Sequence, residues 1–276
     1  MSGIAFEDWV AGADFYDVTF PTSSFGDDVG SIDNIRSPQL GVQWGSSSGW
    51  NADIRAVWGS PRPLQILSML DIRRGTGGIG QVRYGYIDAL SNIVWFDASV
   101  RPIYTHPNSD FIRHDHLVLA SPVSAIGVVL AITNAGAPLT FGRLWAGPIW
   151  SPSSGVERRW SSGIVDPGTL QKSRGGQGYE RREQRSREHE GSFAQMPFEE
   201  AFGNEAGSVV DLQQIAMKLG NTSPCILFPR LFKPNGTVDS HSVHRLGVYG
   251  HFKQPIRINH NAGNYFGANM SFAELF

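Results

Sequence analysis

The chain has 276 residues, 41% of them hydrophobic and only 17% charged, with 32 Gly and 16 Pro. That length supplies one large or two modest cores, and a charged share below the usual quarter or so leaves Gly, Pro, Ser and Asn to cover much of the surface. A formal charge of -2 gives no broad pull toward nucleic acid or an anionic membrane, and no stretch reaches the roughly 18 apolar residues of a spanning helix, so neither partner is expected.

The opening thirty residues carry Trp9, Phe15, Tyr16, Phe20 and Phe25 without helical spacing. They read as extended chain, either an edge strand or an arm laid on a neighbouring subunit. Met1 to Trp9 has neither the basic region nor the long apolar run of an export signal, so folding in the cytoplasm is expected. From Leu40 to Thr133, short segments rich in β-branched and aromatic residues recur between Gly, Pro, Asn and Asp, at 41–44, 54–58, 64–67, 81–86, 93–96 and 124–132. No amphipathic crossover helix separates them, which predicts a sandwich or barrel and argues against a parallel nucleotide-binding fold. Arg74 to Gly80 is Gly-rich but lacks the Lys-Ser/Thr ending of a phosphate loop, and reads as a turn. Phe141 to Pro152 closes this region, and the domain boundary is set near Trp150.

Residues 180–190 have almost no apolar face; as a strand they put Arg181, Glu183, Arg185 and Arg187 on one side. A solvated loop or a salt-bridged subunit contact fits this pattern. Val209, Leu212, Ile215, Ala216 and Leu219 form one helical stripe, with Ser208 or Asn204 available as the cap and Gly220-Asn221 as the stop. Cys225 to Phe228, enclosed by prolines, reads as a buried strand, and its lone thiol as an inert core filler. Segments 246–252 and 265–276 are again strand-like. The fold class expected is therefore mainly β: a jelly-roll β-sandwich over 1–150 with an extended N-terminal arm, then a smaller mixed α+β domain over 151–276 with one helix near 208–219.

No self-contained catalytic centre is read from these residues, and no cofactor is expected. His106, His114 and His116 form one cluster and His241, His244 and His251 another, but neither has a diagnostic metal-ligand spacing. They read as surface histidines in polar loops, with no metal expected. Glu199-Glu200 reads as a pair of helix-start acids. Among the 8 Trp, Trp44, Trp58 and Trp95 are expected in the core, while Trp50, in the turn Ser46 to Asn51, is the best exposed aromatic for stacking on a sugar.

The order of features resembles a known family. Arg73-Arg74, Tyr84-Gly85-Tyr86 and Val94-Trp95-Phe96 are followed by Gly142-Arg143-Leu144-Trp145-Ala146-Gly147, then Trp160, Gly175-Gly176, the Arg181 to Arg187 strand, a short helix and Ile226-Leu227-Phe228-Pro229. This pattern resembles the minor tail or distal tail (baseplate) proteins of long-tailed bacteriophages, whose first domain is similar to galactose-binding-like sandwiches. The resemblance implies a virion structural protein at the tail tip, assembled in the host cytoplasm as a ring of sixfold symmetry that joins the tail tube to the hub and fibres. It gives the aromatic N-terminus and the arginine strand a role: Phe15, Phe20 and Phe25 anchor an inter-subunit arm, and Arg181, Arg185 and Arg187 join a polar interface. The chain's 19 Arg against 4 Lys suit planar, multidonor pairing with carboxylates at such contacts. The alternative is a carbohydrate-binding or host-receptor-contacting tail component, with Trp50 as the glycan contact.

Overall fold

The computed structural model describes residues 2–16, 28–46, 50–74, 79–97, 99–104, 114–135, 139–153, 160–172, 178–181, 185–204 and 210–275. Two compact units divide the chain: a sandwich unit of Gly3–Trp150 with Arg230–Gly247, and a mixed unit built mainly from Ser151–Pro229 and Val248–Leu275.

In the sandwich unit, the main sheet runs in the order Arg143–Gly147, Trp50–Leu70, Asp115–Ala135, Ile79–Ile87, Ile93–Trp95. Asp14–Tyr16 adds to Trp50–Leu70 and Arg101–Pro102 to Ile79–Ile87, all antiparallel. A second sheet orders Asp28–Val29, Trp44–Ser46, Leu139–Phe141 and Arg73–Arg74. Alternation explains how the two enclose one core: Ile54, Ala56, Val82, Tyr84, Val128, Leu130 and Ile132 point inward from the main sheet and meet Trp44, Leu139 and Phe141. The mainly β sandwich expected from the sequence is what the structure shows.

Segments that read as separate strands are joined. Residues 54–58 and 64–67 belong to one strand, Trp50–Leu70, which passes through Gly59-Ser60-Pro61-Arg62-Pro63. Its partner Asp115–Ala135 shifts register between Val118 and Val123 and between Ala125 and Gly127. Proline breaks a ladder by removing a donor, but the irregular pairing here absorbs that loss, so the strand bends without ending.

The motif Gly142 to Gly147 acts as a structural lock. Arg143 is buried and its Nη2 lies 2.6 Å from the Asp8 carboxylate, whose chain segment also meets the strand through Trp9 N–H donating to the Ala146 carbonyl at 2.9 Å. A Cβ at Gly147 would sit 2.0 Å from the Glu7 carbonyl oxygen, so only glycine lets the N-terminal segment lie this close.

Arg230–Gly247 groups with the sandwich unit although the sequence gives no break there. Leu231 is fully buried, Asp239 N–H donates to the Leu231 carbonyl at 2.8 Å, and helix Ser240–Leu246 packs on strand Asp115–Ala135. This helix is absent from the sequence-based expectation. Its signals were local and short: Asp239 caps the Ser242 N–H, and Gly247 follows the last turn.

In the mixed unit the sheet runs Cys225–Phe228, Val248–Phe252, Tyr265–Glu274, Ser186–Pro197, Ser161–Val165, with Arg257–Ala262 also on Tyr265–Glu274. Phe193, Cys225, Ile226, Leu227, Phe228, Phe252 and Phe272 are buried, each large side chain contributing roughly 1.5–3 kcal/mol. The expected helix is Leu212–Leu219. Its cap is Asp211, whose side chain accepts from Gln214 N–H at 2.8 Å, and not Ser208 or Asn204; Val209 and Ser208 lie outside the described residues. Helix Phe198–Phe202 opens with Glu199 and Glu200 in its first turn, as read, and Glu200 accepts from the Ser153 N–H at 3.1 Å.

Candidate functional site

The arginine-bearing strand is one side of a β-hairpin. Ser161–Val165 pairs with the first residues of Ser186–Pro197, from Ser161 opposite Glu190 to Val165 opposite Ser186. Farther out, Thr169–Lys172 pairs with Gly178–Arg181, and among the described residues these two strands form a sheet of their own. At the junction Arg185 Nε lies 2.6 Å from Asp166 Oδ2, both side chains half exposed. The Gly168 N–H and then Arg185 hold the Asp166 carboxyl below its ordinary value, but a pair this exposed is screened by water. All five residues of Ser161–Val165 are exposed, Ile164 at 66%. A row of unpaired backbone groups bearing an exposed isoleucine is a template for strand addition.

The three predicted interface arginines occupy different settings. Arg181 is in the outer hairpin, its backbone opposite Thr169, and Arg185 is at the neck. Arg187 is buried, its Nε donating to Glu274 Oε1 at 2.9 Å and its own N–H to Oε2 at 2.9 Å, so its charge is neutralised inside the unit. Of the predicted aromatic anchors, Phe15 packs against the core of its own unit from strand Asp14–Tyr16, with the Arg36 guanidinium 5.1 Å from its ring. Phe20 and Phe25 lie outside the described residues. The mixed unit also carries an aromatic surface that the sequence reading missed: Phe198 and Tyr265 are 45% and 54% exposed. Phe198, Phe202 and Phe266 pack ring against ring at 5.0–5.8 Å.

The tryptophans sort differently from expectation. Trp44 is in the core, and Trp58 packs against it with Nε1 donating to the Ala125 carbonyl at 2.9 Å. Trp50 is not in a turn; it opens strand Trp50–Leu70, opposite Asn134. Trp95 is half-buried on the outward face of the main sheet, opposite Gly85. A Cβ at Gly85 would come within 2.9 Å of Trp95 Cε3, so the indole rests directly on the glycine backbone. The Arg83 guanidinium lies 4.5 Å from the Trp95 ring centroid, and Arg83 Nε donates to the Asp97 carbonyl at 2.9 Å.

Where strand Asp115–Ala135 begins lies a polar cluster assembled from both histidine groups. His114, His116 and His244 are all buried, which corrects their reading as surface residues. His116 Nδ1 is 2.7 Å from Ser68 Oγ, His114 Nδ1 accepts from Asp71 N–H at 3.1 Å, and the His114–His116 and His116–His244 ring centroids are 5.8 and 6.0 Å apart. Asp115, fully buried, accepts from Arg101 at 2.6 and 3.0 Å and from the Tyr84 hydroxyl at 3.2 Å, with His244 Nε2 3.7 Å away. Burial works against the Asp115 charge, but His244 and Arg101 outweigh it and hold the carboxyl well below the usual range. Burial and the Asp115 carboxylate together push the Tyr84 hydroxyl well up. Among the described residues no three His, Cys, Asp or Glu side chains are grouped to hold a metal ion. Cys225 is buried and its thiol is pushed up by burial, the opposite of an activated nucleophile.

No family model and no curated protein matches the chain. Among solved structures, the family 32 carbohydrate-binding module from Streptococcus pneumoniae EndoD is similar at 17% identity and a TM-score of 0.36, over 51% of this chain and 98% of that one. SpGH29 is similar at 14% identity and a TM-score of 0.36, over 51% of this chain but only 28% of that one. Discoidin II from Dictyostelium discoideum is similar at 13% identity and a TM-score of 0.28, over 95% and 88%. Likenesses this distant decide nothing about chemistry, which rests on the chain's own residues.

Proposed function

We propose that this chain is a structural assembly subunit, a component of the tail tip of a long-tailed phage that packs against copies of itself and against other tail proteins. The observation that supports the reading is the hairpin of the mixed unit. Its outer half, Thr169–Lys172 with Gly178–Arg181, has no further strand among the described residues, and Ser161–Val165 at its base is an uncharged, exposed edge. An isolated two-stranded hairpin is marginal in water, and monomeric proteins blunt such edges with charge, proline or cover. A neighbouring chain supplies what the subunit itself lacks. The tail-tip position and the ring follow from the family resemblance.

Native mass spectrometry of the full chain tests this, alongside a variant in which residues 166–185 are replaced by a short Gly-containing turn. The full chain forms a closed oligomer and the variant a folded monomer. A variant that assembles as the parent does would exclude the hairpin as the contact.

A second reading, host-glycan contact by the sandwich unit, is favoured by one observation: Trp95 faces outward with a guanidinium beside it. An aromatic ring next to a fixed polar group is the usual furniture of a sugar subsite.

A further inference from the structure

We infer that the outward face around Arg83 and Trp95 is a subsite for an anionic saccharide, a sugar ring carrying a carboxylate or a phosphate. The inference rests on the glycan-contact reading and names the ligand class. Strand register fixes the layout. Asp53, Ala131 and Arg83 lie in one row across three strands, and Arg55, Val129, Gly85 and Trp95 in the next row. Directly opposed residues of an antiparallel sheet point to the same side, so these side chains share one face. Between them Val129 and Gly85 are buried and Ala131 is the partly open position, with Arg55 and Asp53 on one flank and Arg83 and Trp95 on the other.

Arg83 is the deciding group. Its Nε is engaged by the Asp97 carbonyl and its plane is held beside the indole, while its terminal nitrogens make no hydrogen bond or ion pair among the described residues. The Asp53 carboxylate likewise has no such partner there. A guanidinium fixed in place with its terminal donors open is preorganised for bidentate capture of a carboxylate or phosphate. The half-buried indole, with the Gly85 backbone and the Arg83 guanidinium against its ring, borders the site with its exposed part, and Asp53 accepts from sugar hydroxyls. A neutral glycan would leave the guanidinium uncompensated.

The test is calorimetric titration of the full chain with three probes: neutral hexose oligosaccharides, uronic-acid oligosaccharides and a phosphate-bearing glycan. The anionic probes bind and weaken with added salt, and the stronger of the two identifies the source of the anion. Arg83→Gln weakens them by roughly tenfold or more, and Trp95→Ala abolishes binding. Near-ultraviolet dichroism confirms that each variant keeps its fold, and Trp95→Phe retains part of the affinity if the fold is intact. Neutral probes bound as tightly, with Arg83→Gln silent, would overturn the anionic inference and leave glycan contact standing. Binding that survives both substitutions puts the site elsewhere and overturns it too. No binding by any probe defeats both readings.

Discussion

Asp115 shows how much one residue can depend on partners distant in sequence. Its carboxylate is fully buried yet charged, because Arg101, Tyr84 and the Tyr104 N–H donate to it and His244 stands beside it. Its pKa is depressed in the folded state, so its stabilising share is present above the unfolded value of about 3.9 and is lost as pH falls through that value toward the folded one. Asp115→Asn therefore destabilises the chain by roughly 2–4 kcal/mol at neutral pH, since Arg101 loses its main counter-ion and keeps only Asp97 at 3.9 Å, although it is partly open to water. The variant's unfolding free energy also falls less steeply between about pH 5 and pH 2. Urea titrations across that range check both; equal slopes in parent and variant would show that Asp115 is not an acid-sensitive group. The sequence shows an aspartate flanked by histidines, but nothing local says that all three are inside.

Among the elements, the helix Leu212–Leu219 was legible because its period is local: Leu212, Ile215 and Leu219 recur on one side and are buried. Its start was less legible, since several capping residues precede it and only the fold shows that Asp211 accepts from Gln214 N–H. Asp211→Ala costs about 1 kcal/mol, whereas Ser208→Ala leaves stability within a few tenths. Thermal unfolding of the two variants decides which is the cap, and equal losses would contradict this assignment. The long strands were legible only in pieces. Proline and glycine at 59–63 are ordinary stop signals, and the partner strand's irregular register, unseen in one segment, is what carries the chain through. Helix Ser240–Leu246 was missed because its short run has little apolar periodicity, and only Val243 and His244 are buried.

At the scale of the molecule, the sandwich unit is completed by residues far along the chain. Arg230–Gly247 belongs to it, contributing Leu231 to its interior and His244 to the Asp115 cluster. A fragment ending at Trp150 therefore unfolds at lower urea than the same fragment joined through a flexible linker to residues 230–247. Fluorescence-monitored denaturation of the two reads the difference directly, and coincident midpoints would mean that the late segment adds nothing to the unit.

The sequence by itself determined the β-rich class, the buried run Cys225–Phe228 and the amphipathic helix, because hydrophobic period and turn chemistry act over a few residues. Tertiary structure alone decided which polar groups are inside and which aromatics are outside. Arg187 reads as a surface charge until Glu274 is set against it, and Trp95 reads as core until its register with Gly85 turns it outward. A side chain's burial depends on what is packed over it, and that partner can lie more than a hundred residues away, as Asp8 does from Arg143.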